Sequence, residues 1–147
     1  MKSEPEVFSI ESLRLAPGGV SGWDGVRNYE ARNFMKAMAL GDGVLFYHSN
    51  AKPSGVAGVA EVARAAYPDP TQFDSKSGHF DPRSRPDAPL WVQVDLRFIR
   101  ALPRVVSLEE LRAAPALSGM ALFRRSRLSV QPVEESQWRT ILELAGV

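Results

Sequence analysis

Between Trp23 and Asn33 the chain places one Trp, one Tyr, two Arg and two Asn within eleven residues. Aromatic faces supply stacking, while guanidinium groups and side-chain amides supply donors in planar geometry. Asn28 is a helix-capping residue type, so a helix is expected to begin in the same stretch. Its free N–H groups would favour an anion. Such a surface suits a planar, polar ligand, and a nucleobase with its phosphate fits it. A core segment has no use for so many donors. Arg27 and Arg32 add to this, because cations near a helix N-terminus oppose the helix dipole. Either an anion is awaited there, or Asp24 or Glu30 pairs locally.

A second group, Tyr47-His48-Ser49-Asn50, puts four hydrogen-bonding residues in a row at the end of an expected strand. That makes it a candidate pocket wall. Trp91 is a third feature. In the run from Leu90 to Arg100, Leu90, Val92, Val94, Leu96 and Phe98 form one apolar face, and Trp91 lies on the other, mostly polar one. It lines a pocket there, or it sits in a second small core under the long loop that precedes it. Trp138, by contrast, falls in a helical apolar stripe and is expected in the core. Neither His48 nor His79 (with Asp81 nearby) has the spaced partners of a metal site, and no spacing pairs a nucleophile with a base. Glycine motifs for nucleotides are absent: Gly55-Val56-Ala57-Gly58 lacks the strand–turn–helix setting. No metal and no cofactor is expected.

The elements that must hold these residues follow from periodicity and punctuation. A short helix is expected over Phe8 to Leu13, capped by Ser9 and ended by Ala16-Pro17-Gly18-Gly19. After Asn28, the apolar stripe Ala31, Phe34, Met35, Met38 marks a second helix, stopped by Gly41. Strands are expected over Val44 to Ser49, with Val44, Phe46 and His48 on one face, and over Gly55 to Ala63, whose small residues allow close packing. Pro68 to Pro89 is a long irregular segment with five prolines. Its Phe73, His79 and Phe80 argue against full disorder. Ser107-Leu108-Glu109-Glu110 is a capping box. A last short strand is expected over Arg127 to Gln131. A final helix then carries Trp138, Ile141, Leu142 and Ala145 on one face and ends at Gly146.

At 147 residues the chain is most simply one domain, 1–147, large enough for a real core. No apolar run is long enough to span a membrane, and no secretory signal opens the chain. The absence of Cys removes disulfides and thiol chemistry. A cytoplasmic setting (nuclear in a eukaryote), a soluble monomer and no membrane partner are expected. A net charge of +1 is low for a protein that coats duplex DNA. The cations are nevertheless 14 Arg against 4 Lys, either a choice suited to phosphate and base edges or a mark of GC-rich codons. Strands mixed with short helices point to an α+β fold with a small curved sheet.

In chain order, Lys2-Ser3-Glu4-Pro5, Trp23-Asp24-Gly25-Val26-Arg27-Asn28-Tyr29 with Ala31-Arg32-Asn33, Phe46-Tyr47-His48-Ser49, Gly55 to Gly58, Tyr67-Pro68-Asp69-Pro70, Trp91 with Val94-Asp95, and Arg127-Leu128-Ser129-Val130-Gln131-Pro132 resemble the EVE domain family. The resemblance covers essentially the whole chain. It implies a PUA-like fold, a curved β-sheet or barrel flanked by short helices. It also implies a nucleic-acid-binding module, not an enzyme, that recognises a modified base such as methylated cytosine or adenine in DNA or RNA. On that resemblance Trp23 and Trp91 would sandwich the base in an aromatic cage. Lys2, Ser3, Asn28, Tyr47, His48 and Ser49 would line the pocket or bond the base edge. Arg27, Arg32 and Arg127 would meet phosphate. Family members carry an apolar strand start before the Lys-Ser-Glu-Pro string; here Met1 directly precedes Lys2, so a shortened first strand is expected. The rival expectation is a small RNA- or DNA-processing hydrolase on the same scaffold, using His48, Tyr47 and Lys2.

Overall fold

The computed structural model describes all of residues 1–147. Its strands are β1 (Lys2–Ser3), β2 (Val20–Gly22), β3 (Gly43–His48), β4 (Gly55–Pro68) and β5 (Val92–Ser107). The helices are α1 (Ile10–Leu15), α2 (Tyr29–Ala37), α3 (Leu108–Ala113), α4 (Ala121–Arg124) and α5 (Glu135–Ala145). The strands form one mixed sheet in the order β1-β3-β4-β5-β2, with β1 parallel to β3 and the other pairs antiparallel. The class is α+β and PUA-like, as the resemblance implied. No helix is long and apolar enough to cross a membrane.

Local chemistry fixes the helix starts. Ser9 caps α1 by accepting from the Ser12 N–H, and Asn28 caps α2 by accepting from the Ala31 N–H at 2.9 Å. Ser107 and Glu110 close the expected capping box of α3. Gly146, at φ 78°, takes the left-handed conformation that ends α5.

The sheet has a core on each face. Val44 and Phe46 of β3, Ala60 and Val62 of β4 and Val94 and Leu96 of β5 meet Leu13 of α1 and Met35 of α2 on one side. Leu45, Tyr47, Val56, Val59, Leu102 and Val106 meet Leu111, Leu122 and Ile141 on the other. The two long strands change face along their length. Val56 and Val59 share a face although three positions apart, because the register shifts between Val56 and Gly58, leaving Ala57 as the extra residue. Each bulge bends the strand and resets its alternation. Gly58 sits at this bend, where a Cβ would lie 2.3 Å from the Ile10 side chain.

Several expected boundaries move. The strands expected over Gly55 to Ala63 and Leu90 to Arg100 run to Pro68 and Ser107, since bulges let them continue past breaks in the pattern. The expected strand Arg127 to Gln131 does not form. Lys2 N–H bonds Ser129 O at 2.9 Å, but a two-residue β1 gives no ladder to continue, and the segment closes as turns. Helix α1 begins at Ile10, and α5 at Glu135, capped by Glu134 and Gln137.

Candidate nucleic-acid interface

The chain enters the site from β2. Trp23 N–H donates to Val94 O at 2.8 Å, one step beyond the last β2 pair, and Gly25 then turns at φ 79°. A side chain at Gly25 would collide with the His79 ring, with a Cβ only 2.7 Å from Nε2. The Gly25 N–H donates to Asp69 Oδ2 at 2.8 Å, tying this turn to the long loop.

That loop is pinned by buried polar groups. Asp69 also accepts from the Thr71 N–H at 2.8 Å and from Arg27 Nη1 at 3.0 Å. Burial alone would push its carboxyl up, but the hydrogen bonds from Thr71, Gly25 and Arg27 outweigh burial and hold it below the ordinary value. Gln72, fully buried, donates to Trp91 O at 2.7 Å and accepts from the Trp91 N–H at 2.9 Å. The Ser84 hydroxyl donates to the same Gln72 oxygen at 2.5 Å. Asp81 accepts from Arg83 and, at 2.8 Å, from the Trp91 indole Nε1–H; these bonds hold its carboxyl well below the usual range.

Trp91 therefore resolves as a buried residue under the loop, 1% exposed, rather than the wall of an open pocket. Its ring stacks on Tyr29, with centroids 4.8 Å apart and planes 27° apart. Trp23 belongs to a different cluster. It meets Phe46 edge-on at 5.3 Å and Phe8 edge-on at 6.3 Å, and His48 meets Phe46 at 5.7 Å. Each indole has its own aromatic neighbours, and both are buried, Trp23 at 9% and Trp91 at 1% exposure.

The expected base-lining residues divide between the two sheet faces. Lys2 pairs with Tyr47, and Ser3 with His48, so neighbours along each strand point to opposite sides. Tyr47 lies in the core under α5, with its hydroxyl pKa raised by burial. Lys2 lies 5.7 Å from that ring and donates from Nζ to Ser126 O at 2.8 Å; burial lowers its pKa. Both line a cavity of about 370 Å³ together with Phe34, Met38 and Trp138. Trp138, expected in the core, packs against the core and walls this cavity. On the other face, His48 Nε2 accepts from the Ile10 N–H at 3.1 Å, which requires a neutral ring nitrogen, and burial lowers the His48 pKa. Ser49 N–H bonds Ser3 O at 3.0 Å. Asn28 is exposed and spends its carbonyl oxygen on the helix cap, leaving its amide N–H₂ free of protein partners.

The arginines also divide. Arg27 faces an anion, but that anion is Asp69 of the chain itself; its other bonds go to Thr71 and to Val26 and His79 carbonyls. Neither Asp24 nor Glu30 pairs with it, and Glu30 pairs with Arg125. Arg32 has no carboxylate partner; it bonds Leu90 O at 3.0 Å and the Asn33 side chain. Arg127 stands exposed on the turn after α4. Tyr29, counted in the Trp23–Asn33 segment but given no role in the expected site, is 47% exposed over Trp91. The signal was present: a tyrosine at the first position of a helix between two arginines.

With this geometry in view, the comparisons with known proteins agree with one another. The EVE domain matches residues 1–144. Human thymocyte nuclear protein 1 is 44% identical over 161 aligned positions, spanning 98% of this chain and 72% of the human protein. A hypothetical protein from Leishmania major superposes with a TM-score of 0.95 at 49% identity, covering 99% of this chain and 92% of that one. The human THYN1 protein, solved in complex with 5-methylcytosine containing DNA, superposes with a TM-score of 0.96 at 43% identity, covering 100% of this chain and 96% of that one. The chain belongs to the EVE domain family.

Proposed function

We propose that this chain binds nucleic acid and reads a modified base, with methylated cytosine in DNA as the first candidate. The observation that carries the reading is the full-length likeness to the human protein solved with 5-methylcytosine containing DNA. The base is read beside the cluster of Phe8, Trp23, Phe46 and His48, in which Trp23 is itself buried and backs the surface. The Asn28 amide, Ser3 and Ser49 bond the base edge, and Arg32 and Arg127 meet phosphate. Trp91 acts behind Tyr29 instead of against the base.

The module works by binding alone. The groups a hydrolase would need are engaged elsewhere: His48 Nε2 by the Ile10 N–H, the Lys2 ammonium by Ser126 O, and Tyr47 by its core. Tyr47 and His48 also face opposite sides of the sheet.

Burying one methyl group contributes about 0.8 kcal/mol, so about a fourfold preference for 5-methylcytosine over cytosine follows from the methyl alone. Fluorescence anisotropy with matched oligonucleotides reads this directly, and equal affinity for both rules the reading out. Asn28→Asp keeps the capping oxygen but removes the amide donor. It is expected to bind the modified strand about tenfold more weakly with an unchanged melting temperature.

A further inference from the structure

Tyr29 is one of eight large hydrophobic side chains left exposed, and it differs from Val7 or Leu40 in being held in place. Trp91 backs it, and Trp91 is fixed at three points: indole to Asp81, N–H to Gln72 and C=O to Gln72. Two guanidinium groups flank the stack, and a third is tied to the carboxylate that holds Trp91. Arg32 Cζ lies 4.8 Å from the Tyr29 centroid and 5.9 Å from that of Trp91. Arg27 Cζ lies 5.6 Å from the Trp91 centroid. Arg83 bonds Asp81 at 3.1 Å, the same carboxylate that holds the Trp91 indole at 2.8 Å. Asp69 and Asp81 are buried, and Glu30 beside Tyr29, though 41% exposed, is neutralised by Arg125, whereas the Arg83 side chain is 68% exposed. The surface therefore presents one fixed ring and positive charge.

We propose that Tyr29 is a stacking platform for the nucleotide next to the base being read, with Arg32 and Arg83 holding the adjoining phosphates of an opened or single strand. The proposal rests on the nucleic-acid reading above and adds a second contact to it. A ring fixed before binding loses little freedom when a base stacks on it. Stacking tolerates any base, since every base has a π-face, and Arg beside the ring supplies backbone contact without sequence preference. A protein partner is less well served, because the ring is set among guanidinium groups rather than in an apolar surround.

The test is anisotropy titration of labelled single-stranded DNA, with and without one 5-methylcytosine, over a series of salt concentrations. Tyr29→Ala is expected to weaken both strands about tenfold and equally, leaving their ratio unchanged. Tyr29→Leu, which still covers Trp91, is expected to match Tyr29→Ala, and Tyr29→Phe to restore what Tyr29→Ala loses. Arg83→Gln is expected to reduce the slope of log K against log salt by about 0.7. Wild-type affinity in both Tyr29→Ala and Tyr29→Leu overturns the platform and leaves the base reading standing. So does a loss confined to the methylated strand, because the ring would then belong to the base reader. If wild type binds both strands equally but Tyr29→Ala still loses tenfold, the platform stands and base reading falls. If wild type binds neither strand and takes a protein partner instead, both fall.

Discussion

His48 shows how one side chain can carry a site's residue type without its chemistry. Its Nε2 is an acceptor for the Ile10 N–H, so protonation both breaks that bond and charges a half-buried ring. The folded-state pKa is lowered, so the unfolded chain binds the proton more tightly. The stability tied to neutral His48 is whole above the ordinary histidine value, about 6.5, and is lost as pH falls through the lowered one. Urea midpoints are expected to drop across that window in wild type and to stay flatter in His48→Gln, which can keep an acceptor. Gln72 makes the opposite point. Nothing in its spacing marked it, yet it bonds the Trp91 main chain, the Ser84 hydroxyl and the Asp69 carbonyl. Gln72→Leu leaves these groups unpaired in the interior and is expected to cost at least about 2 kcal/mol in chemical denaturation.

At the scale of elements, caps and amphipathic stripes were readable because they are local. Ser9, Asn28, Ser107 and Gly146 each do what their residue type does anywhere. The bends of β4 and β5 were not readable, because a bulge is settled by the partner strand rather than by the strand's own pattern. The region around Gly55 and Gly58 shows the reason. A Cβ at Gly55 would lie 2.1 Å from the Val106 carbonyl oxygen, so β5 passes where a side chain would be. Gly55→Ala is expected to destabilise the fold by about 3 kcal/mol or more, since the obstacle is backbone and cannot rotate away. The missed turn at Arg127–Gln131 has a similar origin. Leu128 and Val130 alternate and are buried as in a strand, but a neighbour two residues long offers no ladder. The aromatic cage illustrates the limit most clearly: the family resemblance named Trp23 and Trp91, but only tertiary packing showed that each already had ring partners.

The whole molecule is one sheet between two cores, and its stability divides accordingly. Met35 and Ile141 are fully buried on opposite faces, in different clusters. Met35→Ala and Ile141→Ala are each expected to cost about 2–5 kcal/mol. The double variant should lose their sum within about 0.5 kcal/mol, because neither cavity shares neighbours with the other.

Gln72 carries one more consequence for the sheet. Its amide offers the Trp91 main chain an acceptor and a donor, the pair that a neighbouring strand would present. A side chain thereby completes the ladder at the residue where β5 is about to begin. Sliding β5 by one position would bring Val92 to that amide and turn Trp91 to the far side. The frame of the longest strand is thus proofread by one carboxamide together with the Asp69 N–H, which also donates to the Trp91 carbonyl at 3.1 Å, and the indole beneath Tyr29 faces the correct way because that check is met.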